Sequence, residues 1–187
     1  MKVLGIVCSP RLHGNTEVMV QESLAEAQKA GAEVELVTLA GKNIDFCDGC
    51  YSCQGNEGCH IKDDLQDINT RLLEADGIIF GTPVYFWSVS AQAKTLIDRS
   101  FAFLDGHNLR DKAAGVVVTA RRAGTATAFT VFTNFFNAQR MIMVGGAIGY
   151  GEREKGGVKQ DKEGMAVARA LGRAMVRRIQ SLNIKAK

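Results

Sequence analysis

Four cysteines lie close together in the first third of the chain, in the pattern C-x2-C-x2-C-x5-C. They are Cys47, Cys50, Cys53 and Cys59, and the fifth cysteine, Cys8, stands alone near the start. The short Asp-Gly and Tyr-Ser spacers allow the backbone to curl, so that three thiolates spaced three apart can meet at one small inorganic core. A C-x2-C-x2-C run holds 4Fe–4S clusters in bacterial ferredoxins. We therefore predict that these four cysteines bind one 4Fe–4S cluster.

Other uses of the cysteines stay open at this point. Structural zinc sites usually combine two separated Cys or Cys/His pairs, which differs from this single compact run. Disulfides would need an oxidising compartment, which nothing else in the sequence indicates. The cysteines could also be redox-active or free thiols without a metal. Cys8 follows an apolar run and is predicted to be a small core residue rather than a further ligand.

Length and composition favour one domain spanning residues 1–187, with residues 47–59 as the cluster-binding segment. The chain is 46% apolar and carries a formal net charge of only +3. It shows no basic arm or stripe, which argues against nucleic acid as a partner. No apolar run is long enough to cross a membrane, and the first apolar run is too short for a signal peptide. We expect a cytoplasmic protein, where thiolates stay reduced.

Short apolar runs alternate five times with amphipathic helical patterns. Runs without alternation of polar residues are typical of strands buried on both faces of a parallel sheet. The sequence predicts a flavodoxin-like three-layer α/β/α sandwich, with a five-stranded parallel sheet of order 2-1-3-4-5 and the cysteine segment after the second strand. The expected strands are 3–8, 33–39, 77–82, 113–119 and 141–147, and the expected helices are 17–30, 63–75, 89–103, 125–139 and 161–182.

The loop after the first strand has the side chains that a terminal phosphate needs. It lacks the dinucleotide G-x-G-x-x-G pattern and the ending of a Walker loop. Hydroxyls, a tight turn, an arginine and the amides at the start of the next helix can together bind a dianion. His13 could assist, although a histidine in a loop is more often only solvated. The candidate phosphate-binding residues are Ser9, Arg11, His13, Gly14, Asn15 and Thr16.

Two further strand ends carry unusual residues. Three consecutive aromatic residues follow the third strand, and they cannot all face one core. At least one is expected on the surface or against a planar heteroaromatic ring, the alternative being an aromatic plug or a subunit contact. The loop after the fourth strand would add amides and a cation at the polar edge of the ring. The candidates are Pro83, Val84, Tyr85, Phe86 and Trp87, followed by Thr119, Ala120 and Gly124.

These motifs resemble those of a known family. The run S-x-R-x-x-G-N-T from Ser9, the run G-T-P-V-Y from Gly81, and the helix Lys94–Arg99 are similar to the NADPH-dependent FMN reductases. The compact cysteine motif resembles more narrowly the iron–sulfur flavoproteins. The resemblance implies bound FMN, one 4Fe–4S cluster and a homo-oligomer, either a dimer or a tetramer. The loop from Thr119 to Gly124 is a looser match, because it contains the pair Arg121 and Arg122.

The two implied cofactors predict an electron-transferring oxidoreductase. A 4Fe–4S cluster passes single electrons, whereas FMN can take one or two. We expect electrons to come from a ferredoxin-like donor and to reach a small-molecule acceptor such as oxygen, peroxide or a quinone. No general acid or base is required. The main alternative is an NAD(P)H-dependent FMN or quinone reductase without a functional cluster, followed by a binding module without turnover and a redox-sensing regulator.

The predicted strand order places the cysteine segment at one side of the sheet. Because the second strand is an edge strand, electrons could pass from the cluster of one subunit to the FMN of a neighbour. Four phenylalanines of the fourth helix could contribute to a subunit interface or simply to the core: Phe129, Phe132, Phe135 and Phe136. The charged loop 149–157 is expected to be solvated.

Overall fold

The sheet has five parallel strands in the order β2-β1-β3-β4-β5, as the sequence predicts. The structure is a computed structural model that describes residues 1–54 and 58–185, so part of the predicted segment 47–59 lies outside the described residues. The strands are β1 (Lys2–Val7), β2 (Glu33–Thr38), β3 (Gly77–Pro83), β4 (Ala113–Ala120) and β5 (Ile142–Tyr150). The helices are α1 (Asn15–Lys29), α2 (Leu65–Glu74), α3 (Ala91–Arg99), α4 (Thr125–Ala138) and α5 (Lys162–Lys185).

Helices cover both faces of the sheet and create two cores. On one face, α2, α3 and α4 pack against side chains of the central strands, with Ile68, Leu96 and Phe132 all buried. On the other face, α1 and α5 pack together, through residues such as Val20 and Met175. The central strands are buried throughout, because each strand contributes alternate side chains to both cores. Within the described residues, no helix is long and apolar enough to cross a membrane.

Three of the four phenylalanines of α4 belong to the core. Phe132, Phe135 and Phe136 are buried, and their rings pack around Phe80 of β3 at centroid distances of 5.4, 5.6 and 5.6 Å. Phe129 is partly buried against the same core. The prediction that these rings could form a subunit interface is therefore wrong for the three that surround Phe80.

The elements differ from expectation mainly at their ends. β5 continues to Tyr150, so that Gly149 pairs with Thr119 and Tyr150 with Ala120 of β4. The helix α3 begins after Ser90, whose side chain accepts a hydrogen bond from the Ala93 amide, and it ends in a 3-10 turn, Ser100–Phe103. The first difference extends the sheet to the edge where the strand-end loops meet. The second places Arg99 at the end of a helix, beside the cysteine segment.

Candidate functional site

A cavity of about 410 Å³ opens at the carboxyl ends of the parallel strands, where the strand order reverses. This volume lies within the range of small-molecule sites. Ten of the fourteen predicted cofactor-binding residues line it, and they come from the loops after β1, β3 and β4. These ten are Ser9, Arg11, Gly14, Asn15, Thr16, Pro83, Val84, Tyr85, Thr119 and Ala120.

The other four predicted contacts lie outside the cavity lining. The His13 side chain is 78% exposed and is directed to Glu17, with 3.1 Å between Nδ1 and Oε1. Phe86 and Trp87 are 97% and 63% exposed at the tip of a turn. Gly124 packs under that turn, because a Cβ there would lie 2.9 Å from the Trp87 Cα. A direct flavin contact by any of these four stays a prediction.

The loop after β1, which the sequence predicts to bind a phosphate, is held in shape by its own side chains. Ser9 Oγ accepts a hydrogen bond from the Arg11 amide at 3.1 Å. Glu17, buried in the first turn of α1, accepts from the His13 amide at 2.6 Å, an arrangement similar to a capping box. The turn therefore keeps the start of α1 open at the cavity, where helix-terminal amides favour an anion.

A buried pair of hydroxyls joins two walls of the cavity. Thr16 Oγ1 of α1 and Thr119 Oγ1 of β4 are 2.6 Å apart, and both residues are buried. The Val84 amide donates to the Thr119 carbonyl at 2.8 Å, which ties the loop after β3 to the same strand. Hydrogen bonds thus fix the loops after β1, β3 and β4 to one another.

One wall of the cavity was not predicted from the sequence. Gly151, Glu152 and Arg153 line it, although the sequence predicts a solvated loop there. Asn15 holds this segment in place, donating to the Glu152 carbonyl at 3.0 Å and accepting from the Val158 amide at 3.2 Å. The sequence signal for this wall was the glycine after the fifth strand. β5 ends at the same edge of the sheet as the strands whose loops are predicted to bind the cofactor.

The charges around the cavity suit an anionic ligand. Arg11, Arg121 and Arg153 line it together with a single carboxylate, that of Glu152. Arg11 Nη2 donates to the Arg153 carbonyl at 2.7 Å, and Arg121 Nε lies 3.2 Å from a Glu152 oxygen. The arginine excess and the amides of α1 together provide the electrostatics that a phosphate dianion requires.

The aromatic turn after β3 has an unusual backbone. Tyr85 and Ser88 exchange two backbone hydrogen bonds, of 2.9 and 3.0 Å, across Phe86 and Trp87. Both of these residues have positive φ, at 45° and 58°. Such a turn normally contains Asn or Gly, because bulky side chains are strained in the left-handed region. Strain of this kind is typical of functional surfaces.

The four cysteines of the predicted cluster segment line a second cavity, of about 320 Å³. All five cysteines of the chain fall within the described residues and are free of disulfides. No three of the four sulfurs lie within 4.8 Å of one another. A tetrahedral zinc site with Zn–S bonds of about 2.3 Å would bring its sulfurs to roughly 3.8 Å. As placed, no three of these cysteines could therefore bind one zinc ion without moving.

The thiols of the two regions have different electrostatic surroundings. Burial raises the pKa of Cys53, a backbone hydrogen bond opposes this, and the charges of Cys59, Cys50 and Cys47 raise the pKa further. Burial alone raises the pKa of Cys8 far above its ordinary value. Cys8 is fully buried, consistent with the predicted core role.

Asp48 organises the first turn of the cysteine segment. It accepts from the Cys50 amide at 3.1 Å and pairs with His60 Nε2 at 2.8 Å. Hydrogen bonds from Cys50, and then from His60, lower the pKa of Asp48. Among the described residues, Asp48, Cys50 and His60 are the one set of three potential ligands with donor atoms within 4.8 Å of one another. All three are exposed.

A buried ion pair supports the cysteine segment from below. Arg99 of α3 and Asp63 approach to 2.7 Å, with both side chains 1% exposed. Burial opposes the charge of Arg99, but the Asp63 hydrogen bond and the charge of Cys59 raise its pKa above the ordinary value. Burial likewise works against ionised Asp63, and Arg99 with two backbone amides outweighs it, so the pKa of Asp63 is lowered.

The two cavities share no lining residue. The first lies over β1, β3, β4 and β5, and the second lies beside the end of α3 and is lined by Arg99 and Phe101 as well as by the cysteines. α3 has nine residues, so at about 1.5 Å per residue it is roughly 13 Å long. One end of this helix approaches β1 through Ser90, and the other end reaches the cysteines.

Known proteins share sequence and fold with this chain. Residues 1–155 match the family NADPH-dependent FMN reductase. An iron-sulfur flavoprotein of Methanocaldococcus jannaschii is 42% identical over 92% of this chain and 94% of its own length. A second one from that organism is 38% identical over 90% and 92%. A solved structure of a flavone reductase has a TM-score of 0.80 at 20% identity and covers 98% of this chain, which spans 64% of that protein.

Proposed function

The chain belongs to the NADPH-dependent FMN reductase family and, within it, to the iron–sulfur flavoproteins, and we propose that it is an electron-transferring oxidoreductase that holds FMN in the strand-end cavity and a 4Fe–4S cluster in the cysteine cavity. Membership establishes a flavin-based redox protein. We propose in addition the type of cluster, the electron donor, the electron acceptor and the oligomeric state. The observation that carries it is the presence of two separate cavities whose donor sets suit two different redox groups.

The strand-end cavity fits FMN. The amides at the start of α1, the hydroxyls of Ser9 and Thr16 and the three arginines supply donors for a phosphate dianion. Val84 and Tyr85 give the same cavity an apolar wall, suited to a planar ring. These residues bind and orient the flavin, while the wall 151–153 reduces the access of water to it.

The cysteine cavity fits a cluster of iron and sulfide. Four thiolates on one cavity are the usual ligand set of a 4Fe–4S cluster. When bound, the cluster passes single electrons and FMN takes one or two, so the pair converts one-electron into two-electron transfer. Cys47, Cys50, Cys53 and Cys59 would hold the cluster. We place the protein in the cytoplasm, where such thiolates stay reduced.

The exposed face of the cysteine segment is the proposed docking place for a ferredoxin-like donor. Cys47 and Cys50 are exposed, and so are the neighbouring rings of Phe46 and Tyr51, at 77% and 64%. Cluster ligands at the protein surface shorten the distance that an electron must cross from a partner protein. The acceptor would be a small molecule, such as oxygen, peroxide or a quinone, that reaches the flavin cavity.

We also propose that the protein is a homo-oligomer, a dimer or tetramer, in which electrons pass between subunits. The exposed and strained aromatic turn at Phe86 and Trp87 supports this, because a second copy would bury both rings. The separation of the two cavities within one chain supports it as well. Light scattering of the purified protein, compared with a Phe86→Ser/Trp87→Ser variant, should show the variant as the smaller species. A wild-type monomer would contradict the proposal.

Anaerobic rapid mixing tests the direction of electron flow. A chemically reduced ferredoxin should bleach the bound flavin of the wild-type protein. It should fail to do so in a Cys50→Ser variant that retains FMN but lacks the cluster. Equal bleaching of both proteins would contradict the role of the cluster.

A second candidate is an NAD(P)H-dependent FMN or quinone reductase. The match of residues 1–155 to a family of NADPH-dependent enzymes favours it, and so do the arginines at the cavity mouth, which also suit the phosphate of NADPH. In that case NADPH would bleach the flavin rapidly, and Cys50→Ser would react as fast as the wild type.

A further inference from the structure

The ion pair beneath the cysteine segment joins the two ends of that segment. Arg99 Nη1 donates to the Asp45 carbonyl at 2.7 Å, and Nη2 donates to the Ile61 carbonyl at 3.3 Å. Asp45 lies two residues before Cys47, and Ile61 lies two residues after Cys59. One buried guanidinium therefore connects backbone on both sides of the four cysteines.

Asp63 completes this connection. Its carboxylate accepts from Arg99 at 2.7 and 3.2 Å and also from the Asp45 amide at 2.9 Å. The Asp45 amide and carbonyl are thus both bound, one by Asp63 and the other by Arg99. The Leu65 amide donates to the same carboxylate at 3.1 Å, which fixes Asp63 to the start of α2. Both ends of the segment are held by an ion pair removed from solvent, where such a pair is least screened.

One nitrogen of the Arg99 guanidinium, Nε, makes none of these hydrogen bonds. It is buried and has no hydrogen-bond partner among the described residues. A buried donor without a partner is costly, so Nε is available to an acceptor in the cavity. Arg99 lines the cysteine cavity together with Cys59. Sulfur atoms in that cavity are the acceptors at hand.

We propose that Arg99 is the positioning residue of the iron–sulfur site: it holds the cysteine segment in its ligating shape before the cluster enters, and its buried positive charge and its Nε–H would then tune the potential of the bound cluster. This inference rests on the proposed function. It assigns to α3 a role beyond packing. The edge-to-face contact of Phe101 with Tyr51, at 6.0 Å between centroids, adds a second attachment from the same end of α3.

Variants that keep the volume of the pair test this role. Arg99→Lys retains the charge but loses the planar fork and the Nε–H, and Asp63→Asn retains the shape but loses the charge. Arg71→Lys is the matched control, because Arg71 also pairs with carboxylates, Asp67 and Glu35, but lies on α2 at 39% exposure. FMN content and melting temperature establish that each variant folds.

The first readout needs no cluster. Amide hydrogen exchange of the metal-free, FMN-loaded protein should be faster at residues 45–61 in Arg99→Lys and Asp63→Asn than in the wild type, and unchanged in α4. Arg71→Lys should exchange like the wild type throughout residues 45–61. Unchanged exchange in both test variants would show that the pair does not hold the segment, whatever the protein does with iron.

The second readout is anaerobic reconstitution with iron and sulfide. Loss of a supporting partner typically costs about 10- to 100-fold in metal affinity, so both test variants should take up less iron at limiting supply while FMN stays bound. The midpoint potential of the cluster should become more negative in Arg99→Lys, and more so in Arg99→Gln, because a sulfur hydrogen bond and then a positive charge are lost.

The outcomes separate the two proposals. A wild-type protein that takes up no iron would contradict the proposed function, while the exchange experiment would still decide whether Arg99 holds the segment. A wild type that takes up iron, with Arg99→Lys matching it in iron uptake and potential, would overturn the role of Arg99 alone.

Discussion

The strand-end cavity, proposed to bind the flavin, and the cysteine cavity differ in how the chain forms them. The strand-end cavity, called the flavin cavity below, is formed by loops that follow four different strands, and buried or backbone contacts such as Thr16–Thr119 fix these loops to one another. The cysteine cavity is formed by one continuous segment that lies mostly exposed at the side of the sheet, with Arg99 and Asp63 beneath it. The first site is thus a property of the fold, and the second is an addition to it.

This difference predicts different responses to substitution. A site distributed over several loops loses affinity in steps, because each residue contributes only part of the binding. A site made of four equivalent ligands on one segment loses its metal when a single ligand is removed. Changes in one cavity should also leave the other intact, since the two share no lining residue.

The largest effect should come from a cysteine ligand. Cys50→Ser should reduce the iron content from about four per FMN to near zero, while FMN stays bound because its cavity is untouched. Iron, sulfide and flavin assays on one anaerobic sample measure this. Cys8→Ala is the control, because Cys8 is buried directly after β1. This variant should keep both the iron and the FMN. Joint loss of iron and FMN in Cys50→Ser would show that the two cavities are not independent.

A smaller effect is expected at the hydroxyl pair of the flavin cavity. Thr16→Val removes one predicted donor to the phosphate and the partner of Thr119. A hydrogen bond to a charged group contributes about 1.5–3 kcal/mol, so FMN should bind at least about tenfold more weakly. Fluorescence titration of the apoprotein with FMN gives the Kd. Thr130→Val, on the exposed side of α4, is the control, and a tenfold loss there would point to a general effect of the substitution.

Loss of the Asn15 side chain should weaken FMN binding more modestly. Asn15→Ala loosens the segment 151–158 from α1, because two neutral hydrogen bonds of about 0.5–1.5 kcal/mol each are removed. Part of that loss should appear as FMN release that is about threefold faster, together with faster amide exchange in residues 152–158. An unchanged release rate would mean that this wall does not retain the flavin.

The smallest effect is expected at His13. Its ring is 78% exposed and faces Glu17 rather than the cavity. His13→Ala should therefore change the Kd for FMN less than about twofold, with the backbone amide of residue 13 still bound to Glu17. A large loss of affinity would show that the ring turns into the cavity when FMN binds.

Much of the fold could be predicted from the sequence. A strand buried on both faces of a parallel sheet gives a continuous apolar run, which can be recognised without knowing what packs against it. The phosphate loop and the cysteine ligands are also local patterns, each contained in a short stretch of chain. The Gly151–Arg153 wall was missed because Asn15 meets it across more than a hundred residues of sequence, and no local pattern marks that contact.

The role of Arg99 could not be predicted from the sequence, because it depends on contacts between separate elements. Arg99 is recognisable in the sequence only as part of a family-like helix, and its contact with both ends of the cysteine segment depends on how α3 packs. The aromatic run after β3 predicted at least one ring on the surface or against a ligand, the alternative being an aromatic plug or a subunit contact. In the structure Tyr85 lines the cavity, while Phe86 and Trp87 extend from the strained turn into solvent.

One chain is proposed to carry two redox groups in two separate cavities. An anaerobic reductive titration with dithionite, followed by visible absorbance, counts the electrons that each protein molecule accepts. We expect about three electrons per FMN, two for the flavin and one for the cluster, and about two for Cys50→Ser. A wild-type protein that accepts only about two electrons per FMN, after anaerobic reconstitution with iron and sulfide, would contradict the proposal.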